Sequence, residues 1–231
     1  MRVRSVKIVN RSTNDSRMPT RPVRPRKKQY LVHVNYLAHA YLSFGIPDIA
    51  VGNLISDFVK GKKKLDFPET IQHGITLHRA IDTFTDTHPI TREAKLFFRS
   101  GYGLYAGPII DIVYDHFLAT DPDQFPDPGK LKAFAIHTYQ QVGARQPLFP
   151  EKFARLFPYM QSQDWLSNYR HKEGIYNSLH GLARRATHMP DPSAAFITFN
   201  TRYEQLQDCY RRFFPELKEF AYNELIQLSP S

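Results

Sequence analysis

From Asn35 onward, apolar residues recur at three- and four-residue intervals, and no long alternating run of β-branched residues interrupts them. A chain patterned this way can hide its apolar stripes only by packing helix against helix, so an all-α, single-domain helical bundle is expected. With 231 residues, 42% of them hydrophobic, it can enclose a real core. The single cysteine, Cys209, excludes an intrachain disulfide framework and a Cys-rich zinc site. No apolar run approaches the roughly 18–20 residues of a membrane span, and a reducing, cytoplasmic setting is the expectation.

Local signals mark the helices. Asp48 is placed to cap one running to about Lys60, with Ile49, Val51, Leu54, Ile55 and Phe58 on a single stripe and Gly61 as its stop. Lys62 to Leu65 read as a short basic loop. Pro68 suits the first turn of a helix that Ile71, Ile75, Leu77 and Ile81 carry to about Thr85. Another opens at Pro89 and passes through Phe98. Gly101 to Gly107 read as a turn-rich loop, followed by a helix from Pro108 to about Ala119. Further helices are expected near 130–142, 150–161, 164–186, 192–212 and 215–228. The aromatics Phe213, Phe214 and Phe220 are assigned to the core.

The net charge of +9 is concentrated in residues 1–33, where ten basic side chains meet one acid, Asp15. Removing these from the 31 basic and 22 acidic residues of the whole chain leaves 21 of each, so the body from 34 to 231 is formally neutral. The tail carries Pro19, Pro22 and Pro25 and little apolar content. It cannot bury enough surface to offset its ordering entropy and is expected to be disordered. An arm of this kind suits a nucleic acid, a membrane surface or an organelle address. The neutral body is expected to bind neither nucleic acid nor membrane.

Chemistry-bearing residues concentrate in the first half of the body. His78, Asp82 and Asp86 follow one another at four-residue intervals, which places them on neighbouring parts of one helix face. Asp111 and Asp115 repeat that spacing inside a strongly apolar helix, with His116 next to the second. Asp57 and His39 also sit among apolar neighbours. Carboxylates embedded this way need a partner, because an unpaired buried charge costs several kcal/mol. Imidazole and oxygen ligands without thiolate suit manganese, magnesium, iron or zinc. Metal-assisted hydrolysis of a phosphate ester is the reaction such a site most often serves. Singly, each residue also has an ordinary role: a core histidine satisfied by the backbone, an acid paired with Arg79 or Arg92, or Asp111 serving the first turn of its helix.

Four segments in order carry a resemblance: Asn35-Tyr-Leu-Ala-His39, Gly52-Asn53-Leu-Ile-Ser-Asp57-Phe-Val-Lys-Gly61, His78-Arg79-Ala-Ile-Asp82-Thr-Phe-Thr-Asp86 and Asp111-Ile-Val-Tyr-Asp115-His116-Phe-Leu. Together they resemble the acyl carrier protein phosphodiesterase family over about 34–225, strongest before Ala119. Trp165 and Gly181-Leu-Ala-Arg184-Arg185 are the best matches beyond it. The family resembles a divergent branch of the HD phosphohydrolases, although this chain has no His-Asp dipeptide and only the reversed pair Asp115-His116. The family's chains usually begin with Met directly before the first motif, where Val34 stands here. Residues 1–33 are accordingly expected to be an upstream extension without a catalytic role, with a valine codon as an alternative start.

The resemblance implies a manganese-dependent hydrolase, with magnesium or iron(II) as other candidates, that removes 4′-phosphopantetheine from holo acyl carrier protein in fatty acid biosynthesis. His39, Asp57, His78, Asp82 and Asp115 are the expected metal ligands. Asp57, Asp86 and His116 are candidates for proton transfer and Arg79 for binding the phosphate. The acidic carrier should meet Lys60, Lys62, Lys63 and Lys64, with Arg184 and Arg185 as a second choice. Two further classes stay open: hydrolysis of a nucleotide or other small phosphodiester by the same ligands, and a non-catalytic helical module with a basic nucleic-acid arm.

Overall fold

The computed structural model describes residues 35–186 and 188–228, and among them there are eleven α-helices, four short 3₁₀ turns and no strand. The helices are α1 (Tyr36–Tyr41), α2 (Pro47–Ile55), α3 (Glu69–Thr87), α4 (Pro89–Tyr102), α5 (Ala106–Thr120), α6 (Pro128–Gly143), α7 (Glu151–Ser162), α8 (Trp165–Asn168), α9 (Lys172–Arg185), α10 (Pro192–Thr201) and α11 (Tyr203–Leu228). The expected all-α class is found. The basic tail lies outside the described residues.

α5 is the axis. Every residue from Pro108 to Ala119 is buried, as an all-round apolar helix requires, and α1, α4, α9 and α11 pack around it. α3 shows a one-sided stripe instead: Ile71, Gly74, Ile75, His78, Ile81 and Thr85 face inward. His78 therefore occupies a position that its helix reserves for core residues. Phe213 and Phe214 are buried; Phe213 and Phe220 stack on Phe84, the latter with ring centroids 4.4 Å apart, and join α11 to α3, while Phe214 packs on Tyr41 of α1.

The most intimate helix pair is α2 against α3, where Gly52 and Gly74 meet. A Cβ built on Gly52 would lie 2.2 Å from the carbonyl oxygen of Ile71, and one on Gly74 would lie 2.3 Å from that of Ile49. Only hydrogen fits at either position, and the two backbones are in direct contact. This crossing sets the depth at which Asn53 and Asp57, from the α2 side, stand opposite His78 and Asp82.

Several boundaries differ from those expected. Pro47, whose fixed φ suits a first helical position, starts α2 one residue before Asp48, and Asp48 instead pairs with Arg145. α2 does not run to Lys60. It tightens at Ser56–Phe58 into a 3₁₀ turn, and Gly61, at φ +57, opens a second one over Gly61–Asp66. The expected Gly101–Gly107 loop is nearly all helix, with one 3₁₀ turn at Gly103–Tyr105 between α4 and α5. The segment 164–186 breaks into α8 and α9. α11 runs unbroken through Pro215, whose missing amide is tolerated within a helix that packs on α3, α4 and α5.

Replacing Gly52 or Gly74 by Ala is expected to lower unfolding stability by about 2–3 kcal/mol, read by chemical denaturation, because a backbone rather than a flexible side chain blocks the methyl group. Gly101→Ala is the matched control: it meets nothing within 4 Å and should be neutral or slightly stabilising.

Candidate metal centre

α1, α2 and α3 bring two histidines and two carboxylates together at the wall of a cleft of about 1010 Å³. The imidazoles of His39 and His78 stack with centroids 3.9 Å apart. Asp82 sits beneath both rings, its carboxylate oxygens 3.2 Å from His39 Nε2 and 3.1 Å from His78 Nε2. Asp57, turned inward by the 3₁₀ tightening after α2, places an oxygen 3.5 Å from His78 Nε2. Donor atoms of His39, His78 and Asp82 all lie within 4.8 Å of one another.

Hydrogen bonding fixes the orientation of His39. Ser43 Oγ donates to the carbonyl of His39 at 2.7 Å and accepts from Asn53 Nδ2 at 3.0 Å, which leaves Asn53 Oδ1 to accept from His39 Nδ1 at 2.9 Å. The proton therefore resides on Nδ1, and Nε2 presents its lone pair to the cluster. Burial and the neighbouring His78 lower the His39 pKa, which keeps that lone pair available. Burial also acts to lower His78, but the Asp82 and Asp57 carboxylates outweigh it and raise that pKa to about 10. Burial disfavours the charged form of Asp82, yet the two imidazoles hold it well below the usual carboxylate range.

The arrangement fits a divalent cation. His39 Nε2 and both nitrogens of His78 are buried without a partner in hydrogen-bonding geometry, although carboxylate oxygens stand near the two Nε2 atoms. A lone pair aimed at a carboxylate lacks a positive centre between the two. An imidazole and carboxylate donor set without sulfur suits manganese, iron(II) or zinc, and Asn53 is the outer partner that fixes ring tautomer and tilt.

Asp115 is not brought into this cluster. Its two oxygens accept from the amides of Leu37 at 3.0 Å and Ala38 at 2.8 Å, so it ties down the first turn of α1, two residues before His39. Burial raises its pKa well above the usual carboxylate range, against the pull of those amides. His116 also points elsewhere. Nδ1 donates to the carbonyl of Tyr169 at 2.7 Å, Nε2 accepts from the Tyr203 hydroxyl at 2.9 Å, and burial lowers its pKa to about 4.

Arg79 and Asp86 do line the cleft. Arg79 Nη2 donates to the carbonyl of Val59 at 2.9 Å, and Asp86 pairs with Lys95 at 2.7 Å. Of the basic run only Lys60 lines it; Lys62 and Lys63 are exposed on the following 3₁₀ turn, and Lys64 donates to Thr76 Oγ1. Arg184 and Arg185 line a separate cavity of about 380 Å³ with Trp165. Sequence reasoning missed Arg92, Lys95 and Arg99 of α4, which line the cleft with the cluster. Their signal was the i, i+3, i+7 spacing.

Two outcomes are expected. Asn53→Ala should weaken manganese binding about 10- to 100-fold in a metal titration, because His39 loses the partner that fixes its tautomer. His116 is held neutral in the fold, with a pKa near 4 against 6.5 when unfolded. It thus contributes stability above pH 6.5 that is lost as pH falls toward 4, amounting to about 3 kcal/mol. Denaturation of His116→Gln between pH 6.5 and 4 should show a total loss of stability smaller by about that amount.

A family profile for acyl carrier protein phosphodiesterase matches residues 34–217. Among curated relatives, the acyl carrier protein phosphodiesterase of Yersinia pestis is 32% identical over 193 residues, covering 84% of this chain and 100% of that protein. That of Salmonella paratyphi A is 33% identical over 80% of this chain and 95% of its own. The Photorhabdus laumondii protein of the same name is 32% identical over 83% and 96% respectively. No solved structure matches. The matched region contains α1, α2 and α3 with the whole His39, Asp57, His78 and Asp82 cluster, and the chain belongs to the acyl carrier protein phosphodiesterase family.

Proposed function

We propose that this chain is a cytoplasmic, divalent-metal-dependent phosphodiesterase, with manganese as its metal, that releases 4′-phosphopantetheine from holo acyl carrier protein and leaves the apo carrier with a free serine. The observation that carries the metal dependence is the convergence of His39, His78 and Asp82 on one point in the cleft wall, with unpartnered imidazole nitrogens. Family membership supports the substrate. Among the described residues, no helix is long and apolar enough to cross a membrane.

His39, His78 and Asp82 would hold the ion, with Asp57 beside them. When bound, the metal supplies Lewis acidity, which acidifies water near neutral pH and offsets charge on the phosphodiester. The remaining roles belong to the chain. Asp57 opens to the cleft with its side chain 18% exposed, close enough to the cluster to accept a proton from the attacking water. Arg79, its guanidinium held by the Val59 carbonyl, faces the same space and is placed to bind a phosphate oxygen. Asn53 and Ser43 orient His39, and Asp115 anchors the turn that carries it.

Incubating the chain with holo acyl carrier protein and manganese should remove the phosphopantetheine mass from the carrier, and chelator should abolish the loss. Asp82→Ala should lose both bound metal and activity. A carrier left intact by a folded, metal-loaded protein that still cleaves bis(4-nitrophenyl) phosphate would reassign the substrate to a small phosphodiester.

A further inference from the structure

α4 presents Arg92, Lys95 and Arg99 at i, i+3 and i+7, on one side of the helix, and all three line the cleft that holds the metal cluster. Lys60 and Arg79 line it as well. The cleft's carboxylates are Asp57, Asp82 and Asp86. Asp86 is paired with Lys95, while Asp57 and Asp82 face the histidines. Among the described residues no carboxylate pairs with Arg92 or Arg99. A body of balanced charge has thus gathered a cationic excess around one opening, before any metal adds to it.

An apolar contact point stands in the same place. The 3₁₀ turn after α4 holds Leu104 at the cleft's mouth, 90% exposed, with Gly103 supplying the positive φ of +52 that turns the chain there. Cations around an apolar centre are the complement of a protein surface that carries carboxylates around an apolar patch. A long polyanion such as nucleic acid fits less well, because the cleft's own carboxylates interrupt the basic surface.

Resting on the reading of the substrate as a carrier protein, we infer that α4 is the docking ridge for that acidic partner. Arg92 and Arg99 engage its carboxylates, Leu104 contacts its apolar surface, and Lys60 closes the opposite side. The Lys62, Lys63 and Lys64 turn is peripheral to this ridge. The geometry places the partner's modified serine over the cleft in which Arg79 and the metal cluster lie.

The test combines steady-state kinetics on holo acyl carrier protein with anisotropy of a fluorescently labelled holo carrier, using the full chain with manganese. Arg92→Glu and Arg99→Glu, singly and together, should raise KM and the carrier's Kd by about tenfold or more, flatten their salt dependence and retain kcat at saturating carrier. Arg92→Gln with Arg99→Gln should give a smaller shift in the same direction. Lys152→Glu, an exposed reversal on α7 outside the cleft, should leave both constants unchanged. Carrier that is cleaved and bound equally well after α4 reversal would overturn the docking assignment and leave the chemistry standing. Carrier that binds in an α4-dependent way but is never cleaved would overturn the chemistry and leave the docking surface standing. A kcat that falls in parallel on carrier and on bis(4-nitrophenyl) phosphate would show that the arginines bind the reacting phosphate, which also overturns docking.

Discussion

The backbone contact between Gly52 and Gly74 is the constraint from which the centre follows. Two helices ordinarily keep 8–10 Å between axes because side chains separate them. Here a hydrogen faces a carbonyl on both sides of the crossing. One residue after Gly52 comes Asn53, and one turn after Gly74 comes His78, so the crossing fixes the height of the outer partner of one imidazole and the position of the other. The 3₁₀ turn that ends α2 then swings Asp57 toward His78. A wider crossing would draw these groups apart and weaken the cluster, because contacts of this kind fall off steeply with distance.

The cluster is an electrostatic arrangement that the core would reject without compensation. His39 and His78 are both buried and lie face to face, where two imidazolium ions would repel. Asp82 makes the stack tolerable by setting its carboxylate against His78, whose charged form it favours, and the Asn53–Ser43 pair keeps His39 neutral by fixing its proton on Nδ1. The chain has invested three buried polar residues in holding a lone pair toward a carboxylate. Such an investment is out of place in a core built only for stability, where apolar residues of the same volume would serve as well or better. Asp115 extends the pattern outward, as a buried acid whose two oxygens accept from the backbone of the turn that carries His39.

Much of this was legible in the residues. The helical spacing announced an all-α fold, and the four-residue interval from His78 to Asp82 put two members of the cluster on one face. Long-range pairing was not legible. Asp115 looks as promising as Asp82 because both are acids in apolar helices, and only the packing of α1 on α5 shows that backbone amides 77 and 78 residues away consume its oxygens. His116 follows Asp115 by one residue, which on a helix means about 100°, and that rotation carries it to Tyr169 and Tyr203. Helix ends failed for a related reason. Pro215 and Gly101 signal breaks locally, but burial against neighbouring helices outweighs a lost amide or a glycine's entropy.

Charge shows most plainly why totals mislead. The chain's +9 points to its first 33 residues, and the balance of the rest suggests a featureless surface. Yet Lys60, Arg79, Arg92, Lys95 and Arg99 come from three parts of the chain to one cleft, where they outnumber Asp57, Asp82 and Asp86, while at a different opening Asp121, Asp123 and Glu219 outnumber Arg211 and Lys218. The same neutral sum therefore describes an uneven distribution of charge, with a cationic excess at one opening. Field strength at a cleft depends on which charges share it and on how little solvent screens them, so a neutral body can steer an acidic partner to one face and leave the other indifferent. The positions that create this polarity are separated by up to 39 residues in sequence, and only the closure of α3, α4 and the turn after α2 around a common space makes them one surface.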